Sequence, residues 1–120
     1  MNKWVLLEHK VYFANSVDIH YDFLVENGID CLTWKFLKLP QLDQASIEIY
    51  KQPNHRLVWL SRIEHELSDN RGFVKRIDHG IFKNVSDKCD SEYYGFILDG
   101  ELLYGLFEIS ANSCRLSKNF

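Results

Sequence analysis

Two ionisable side chains share one face of a predicted β-strand in the sequence "IHYDFLVE", residues 19–26. Alternate residues of a strand point to the same side, so His20 and Asp22 lie together, about 7 Å apart at the backbone. His9 ends the preceding apolar run "WVLLEH" and supplies a second imidazole if its strand neighbours that of His20. Two imidazoles and one carboxylate suit manganese, zinc or iron and leave coordination positions open for water or substrate.

Strand and turn signals indicate how the chain positions these side chains. Asn27-Gly28 separates two segments rich in aromatic and β-branched residues, 19–26 and 31–37, and predicts a hairpin. Asp99-Gly100 predicts a second hairpin with a type I′ turn, between residues 93–98 and 101–110. We expect further strands at residues 3–8, 47–52, 55–60, 73–77 and 81–85, and one short helix within residues 39–47.

Many short strands separated by regular turn signals are typical of a mainly β fold. We expect a small antiparallel β-barrel with at most one or two short helices. In such a barrel each strand alternates between interior and exterior, and one end often opens into a ligand cavity. We expect His20 and Asp22 to line that opening.

Length and composition favour a single domain over residues 1–120. The chain has 120 residues, of which 46% are hydrophobic, enough for one core. No apolar stretch has the length of a membrane span, and the N-terminal apolar run is too short for a signal peptide. The cysteines Cys31, Cys89 and Cys114 lack CxxC spacing, so we expect free thiols and a cytoplasmic location.

Charge is unevenly distributed along the chain, whose net charge is −3. Residues 35–83 contain nine Lys or Arg and six Asp or Glu, whereas the remaining residues contain five and eleven. The overall charge argues against a generally basic, nucleic-acid-binding surface. The basic segment forms a groove for nucleic acid only if its cations cluster in the fold; otherwise it is an uneven distribution with no consequence for binding.

Several short motifs occur in order along nearly the whole chain. The string "HYDFLVENGIDCLTWKFLKLP" at residues 20–40 follows His9, and "PNHRLVWL", "RGFVKRIDHGIF" and "FILDGELLYGLFEI" come later. Their order and combination resemble the 3′-phosphoesterase domain of the bacterial end-joining DNA ligase D and its stand-alone relatives, the DNA polymerase ligase-like proteins. The first string is similar to the family's H-[YW]-D strand, its G-x-L-x-[ST]-W strand and the lysine beyond that tryptophan.

The resemblance implies a small antiparallel β-barrel whose metal-dependent site removes a terminal ribonucleoside and then the 3′-phosphate from DNA ends. It implies that His9, His20 and Asp22 hold a divalent metal, with manganese first and zinc or another transition metal as alternatives. Such an ion acts as a Lewis acid on a phosphate oxygen and activates water. The partners implied are nucleic-acid 3′ ends and a repair protein, with no membrane.

The same resemblance assigns the remaining site residues. His55 is expected to donate to the transition state or to protonate a leaving oxygen, as an imidazole that titrates near neutrality can. Lys38 is expected to hold the phosphate as a point charge, in both a catalytic and a substrate-binding role. Glu26, at the end of the first strand motif, also matches the family's pattern. Apart from the resemblance, Arg56 is a further candidate for substrate binding because it lies beside His55.

Three positions depart from the catalytic members of that family. Leu24 and Ile47 stand where those enzymes carry arginines, and Trp59 stands where they carry a tyrosine. Neither leucine nor isoleucine replaces the bidentate hydrogen bonding of arginine to phosphate. The second hypothesis is therefore a non-catalytic barrel of the same lineage that binds nucleic acid or protein.

The third hypothesis is an iron-type enzyme. His20 and Asp22, with a distant His55 or His79, imitate the two-histidine, one-carboxylate ligand set of iron oxygenases. The short chain and the lack of a cosubstrate-binding feature argue against it. The sequence predicts no oligomeric state.

Overall fold

Antiparallel strands make up most of the part of the chain described by the structure, a computed structural model that covers residues 2–67, 72–85 and 93–118. The strands are β1 Lys3–Phe13, β2 Ser16–Asn27, β3 Asp30–Phe36, β4 Ile47–Glu48, β5 Tyr50–Arg56, β6 Glu64–Leu67, β7 Gly72–Asn84, β8 Tyr93–Asp99, β9 Tyr104–Ser110 and β10 Ser113–Ser117. One turn of 3-10 helix spans Leu57–Leu60. No helical segment within the described ranges is long and apolar enough to cross a membrane.

The strands form one sheet in the order β4-β10-β9-β8-β7-β1-β2-β3-β5, and β6 also pairs with β7. The two edge strands, β4 and β5, are consecutive in the chain and are separated only by Ile49, which is fully buried. The sheet must therefore curl until its edges approach each other. The mainly β prediction is confirmed. Since β4 and β5 are not paired with each other, the sheet is not closed, and the predicted term barrel applies only in a loose sense.

The hairpin of β2 and β3 forms as predicted, with a different turn. Its two-residue loop is Gly28-Ile29, and Asn27 already belongs to the ladder. Gly28 has a φ of 72°, which glycine adopts without steric cost. The turn predicted at Asn27-Gly28 was wrong by one residue. Because the loop begins one residue later, each residue of β2 pairs with a residue of β3 that is two positions further along the chain than the predicted turn implies. Asp22 therefore lies opposite Lys35.

The hairpin of β8 and β9 has a four-residue loop, residues 100–103, and not the predicted type I′ turn. Asp99 pairs with Tyr104, and neither Asp99 nor Gly100 has a positive φ. The buried carboxylate of Asp78 explains the longer loop. Its oxygens accept backbone N–H hydrogen bonds of 3.0, 2.8 and 2.8 Å from Glu101, Leu102 and Leu103.

Other segments differ from the predictions because long-range contacts override local patterns. Residues 73–77 and 81–84 belong to the single strand β7, which ends one residue before the predicted strand 81–85 does, and residues 47–52 are divided at Ile49. Residues 57–60 form a 3-10 turn, since the unbroken apolar run "LVWL" has no strand alternation. Residues 39–47 contain no helix: Leu42 bridges Leu116, whose carbonyl accepts the N–H of Asp43 at 2.8 Å.

The sheet buries apolar side chains on both faces. On one face, the ring of Phe23 lies 4.9–6.4 Å from those of Trp4, Trp34, Phe36, Phe96 and Phe107. The opposite face, here called the outer face, carries a second cluster of Val5, Leu7, Leu24, Cys31 and Val74. Trp59 and Leu60 pack against this second cluster. By strand alternation, His20 and Asp22 belong to the outer face, and not to a ligand cavity at the opening of a barrel as we expected.

Candidate metal centre

His9, His20 and Asp22, here called the His-His-Asp group, lie together on the outer face. In the antiparallel ladder of β1 and β2, His9 is opposite His20, and Leu7 is opposite Asp22. Side chains directly opposite each other share a face, with Cβ atoms about 4.5–5.5 Å apart. The hairpin thus brings His9 beside the other two residues, as the sequence predicted.

The distances within this group fit the coordination of a single ion. The ligand atoms all lie within 4.8 Å of one another. His20 Nε2 is 3.1 Å from His9 Nδ1 and 3.5 Å from Asp22 Oδ2. Two atoms bound to one ion at about 2.1 Å are about 3.0 Å apart at a right angle and about 3.4 Å apart at a tetrahedral angle. The two separations from His20 Nε2 therefore match those of adjacent ligands of one metal.

The close contact of the two imidazoles needs a proton or a cation between them. When both nitrogens present lone pairs they repel each other, so at 3.1 Å one of them donates an N–H to the other. A metal ion that accepts both lone pairs takes the place of this proton. A neutral imidazole would then carry this proton on its other ring nitrogen, so metal binding needs a change of tautomer.

The environment of the group is partly buried and remains open on one side. The side chains of His20 and Asp22 are 19% and 13% exposed. The rings of His9 and His20 meet edge to face, with centroids 4.5 Å apart. Reduced contact with water strengthens the attraction between a carboxylate and a cation, while the open side leaves room for a ligand.

His55 lies on the same face but far from the His-His-Asp group. It is opposite Cys31, four residues along β3 from Lys35, which itself is opposite Asp22. Two strand spacings and four residue rises separate His55 from Asp22 by on the order of 15 Å. The Nδ1 of His55 is 3.0 Å from the carbonyl oxygen of Pro53.

Glu26 and Arg56 lie away from the His-His-Asp group along their strands, and Lys38 lies beyond the end of β3. Glu26 is four residues beyond Asp22 on β2, where it accepts the backbone N–H of Lys3 at 3.1 Å. That hydrogen bond is the main cause of a lowered pKa for Glu26. Lys38 is exposed in the segment after β3, and Arg56 is exposed at the end of β5.

The positions that depart from the phosphoesterase pattern are occupied by packing residues. Leu24 is fully buried in the second cluster. Ile47 lies opposite Cys114 and packs against the main core. Trp59 covers the second cluster, with its ring 5.4 Å from that of His65. None of these three side chains offers a cation for phosphate.

Two basic residues beside the His-His-Asp group were missed by the sequence analysis. Lys35 lies opposite Asp22, and Arg76 lies opposite Leu7, the other cross-strand neighbour of Asp22. A turn placed at Gly28 would have identified Lys35. No local sequence signal predicts the position of Arg76, because only the pairing of β1 with β7 brings it beside the His-His-Asp group.

The chain was compared with protein-family models and with curated proteins. No protein-family model matches it, and no curated protein matches it significantly. The similarity to 3′-phosphoesterase domains therefore remains a resemblance of motif order, and the His-His-Asp group is a candidate metal centre on its geometry.

Proposed function

We propose that the protein is a metal-dependent phosphoesterase that acts on nucleic-acid 3′ ends. The observation that carries the proposal is the convergence of two imidazole nitrogens and one carboxylate oxygen within 4.8 Å. The order of the sequence motifs supports the substrate class, and the mixed nitrogen and oxygen ligands suit manganese, zinc or iron. We take manganese as the first metal to test because the resembled family implies it.

The residues of the His-His-Asp group have distinct roles in this proposal. His9 and His20 supply neutral lone pairs, and Asp22 supplies one negative charge, so a divalent ion keeps a net charge of about +1 for an anionic ligand. A bound ion would supply Lewis-acid stabilisation of charge on the phosphate. His55 has no part in the proposed hydrolysis, because the strand register separates it from Asp22 by on the order of 15 Å.

The test is end trimming together with metal binding. The protein is incubated with manganese and a primer-template that carries a 3′-phosphate or a 3′-ribonucleotide. We expect wild type to trim the end, and His20→Ala and Asp22→Ala each to reduce the rate at least about 100-fold with loss of bound metal. His79→Ala is the matched control, since His79 is an exposed outer-face histidine opposite Val5.

Two results contradict the proposal. One is no trimming by wild type together with no manganese, zinc or iron bound in equilibrium dialysis. The other is equal trimming by wild type and both Ala variants, which would locate the reaction elsewhere. Normal metal binding and trimming in His79→Ala would show that loss of an arbitrary histidine does not account for the effect.

A second candidate is a non-catalytic protein of the same lineage that binds nucleic acid or a repair protein. The burial of Leu24 in the second cluster and the packing of the partly buried Ile47 against the main core favour it, because apolar packing residues stand where the resembled enzymes carry phosphate-binding arginines. This candidate predicts binding to a 3′-ended oligonucleotide that is unchanged by EDTA, with no product formed. Fluorescence anisotropy with and without EDTA distinguishes it from the metal-dependent enzyme.

We also infer a cytoplasmic location. Cys31 and Cys114 are free thiols and are buried in the described part of the chain. Free thiols are typical of a reducing compartment. Fractionation of the producing cells tests this inference, which recovery of the protein outside the cytoplasm would contradict.

A further inference from the structure

Two cations flank the His-His-Asp group on the outer face. Lys35 on β3 is directly opposite Asp22, and Arg76 on β7 is opposite Leu7 on the other side. Both come from the basic segment identified in the sequence, residues 35–83. The fold thus arranges Arg76, Leu7, Asp22 and Lys35 in one row across four neighbouring strands.

The spacing of this row allows both cations to reach a ligand above Asp22. Neighbouring strands are about 4.8 Å apart, so Lys35 is one spacing from Asp22 and Arg76 is two. Arg76 is also the diagonal neighbour of His9, at about 7–8 Å, because His9 pairs with Val74. Long, flexible stems carry the charges of Lys35 and Arg76 outward from the sheet, on opposite sides of the group.

Both cations are available for an anionic ligand. Among residues 2–67, 72–85 and 93–118, no carboxylate lies within 4.0 Å of the Lys35 ammonium or the Arg76 guanidinium. The backbone of Arg76 is held in place, since its N–H donates to the carbonyl of Ile63 at 2.8 Å. Both side chains are partly buried, which favours interaction with a ligand at the sheet surface.

We propose that Lys35 and Arg76 bind a phosphate monoester that also contacts the metal held by the His-His-Asp group. This inference rests on the proposed function and specifies its substrate. A divalent ion with Asp22 leaves a charge of about +1, and the two cations raise it to about +3. That charge favours a terminal phosphate of about −2 over an internal phosphodiester of about −1.

Lys35 and Arg76 would also take the place of the two phosphate-binding arginines that the sequence lacks. Leu24 and Ile47 are committed to the two apolar clusters. Lys35 and Arg76 instead place cations on the strands next to β1 and β2. Arg76 supplies the planar, bidentate donor suited to a phosphate, and Lys35 supplies a point charge.

Calorimetric titration tests the proposal without relying on turnover. Inorganic phosphate and dimethyl phosphate are titrated into the full chain, first with manganese and then with EDTA. We expect manganese-loaded wild type to bind phosphate at least about tenfold more tightly than dimethyl phosphate. Lys35→Gln and Arg76→Gln should each weaken phosphate binding about tenfold.

Lys75→Gln is the matched control. Lys75 is the neighbour of Arg76 on β7, and it lies opposite Glu8 on the other face of the sheet. Its loss changes the net charge equally and should leave the phosphate affinity unchanged. The charge-retaining variant Lys35→Arg should keep most of the affinity, and circular dichroism establishes that each variant is folded.

The outcomes separate this inference from the proposed function. If folded Lys35→Gln and Arg76→Gln bind phosphate as tightly as Lys75→Gln, or if wild type binds no phosphate, the inference is overturned while a metal centre can remain. If no metal binds but phosphate binding in EDTA still depends on Lys35 and Arg76, the assignment of these two cations to phosphate holds, whereas the contact with a metal and the metal-dependent function both fail. Equal affinities for phosphate and dimethyl phosphate would overturn the monoester assignment.

Discussion

Asp78 and Asp99 both accept backbone hydrogen bonds, but they use their carboxylate oxygens differently. Asp78 uses both oxygens. Its Oδ1 accepts the backbone N–H groups of His79 and Glu101, and its Oδ2 accepts those of Leu102 and Leu103. In its contacts with the described residues, Asp99 uses Oδ1 alone, which accepts the N–H of Ile81 at 2.9 Å and the indole N–H of Trp4 at 3.4 Å. An asparagine in place of Asp99 therefore keeps the single oxygen acceptor that is used there. An asparagine in place of Asp78 keeps only one of the two oxygen acceptors that are needed.

At the residue scale we expect Asp78→Asn to lower the free energy of unfolding by about 3 kcal/mol and Asp99→Asn by less than about 1 kcal/mol. The amide group in Asp78→Asn meets N–H donors whichever way it is turned. Urea unfolding of both variants measures the difference. Equal losses would show that the bidentate arrangement of Asp78 contributes nothing beyond that of a single acceptor.

At the element scale, Glu26 connects the start of β1 to the end of β2. Its carboxylate accepts the Lys3 N–H, and this hydrogen bond lowers its pKa below the usual 4.5. A lowered pKa in the folded state means that the carboxylate stabilises the fold above the pKa of the unfolded chain. This contribution is lost as the pH falls through the lower pKa of the folded state.

We therefore expect Glu26→Gln to be less stable than wild type at pH 7, and this deficit to shrink toward pH 2 as Glu26 of wild type becomes protonated in the folded state. Urea unfolding at both pH values measures the two differences. Glu101→Gln is the control, because Glu101 is exposed and its loss should change stability little at either pH. A Glu26→Gln deficit of the same size at pH 2 would assign the effect to packing and not to charge.

At the scale of the whole molecule, the sheet separates two apolar clusters, each of which contains one cysteine. Cys31 belongs to the second cluster and Cys114 to the main one. Burial raises the pKa of the Cys31 thiol to about 11, with smaller contributions from Asp30 and Glu26, and burial raises that of Cys114 to about 12. Because only the thiolate reacts, both thiols are protected while the clusters remain packed.

We expect the folded Cys89→Ser variant to react with a thiol reagent at pH 8 at least about 100-fold more slowly than the same variant in urea. The substitution removes Cys89, which lies outside the described residues. If the curled sheet opens as one unit, Cys31 and Cys114 should react at the same rate. Fast labelling of Cys31 alone, identified by mass spectrometry, would show that the second cluster opens independently.

The sequence by itself determined which residues share a face, because side-chain alternation is a property of each strand. His20, Asp22 and Leu24 were correctly placed on one side of β2, and the two-residue error in the β2 to β3 register left their face unchanged. The mainly β class followed from the same local alternation. Local sequence was also enough to predict His9 as the neighbour of His20, since only a hairpin separates them.

Only the tertiary structure decided what surrounds these side chains. The register selected Lys35 as the partner of Asp22, and the pairing of β7 with β1 brought Arg76 to the same row. The second cluster placed the His-His-Asp group on the outer face, and the strand positions separated His55 from it. These relations depend on hydrogen bonds and burial between segments distant in sequence, which local alternation does not specify.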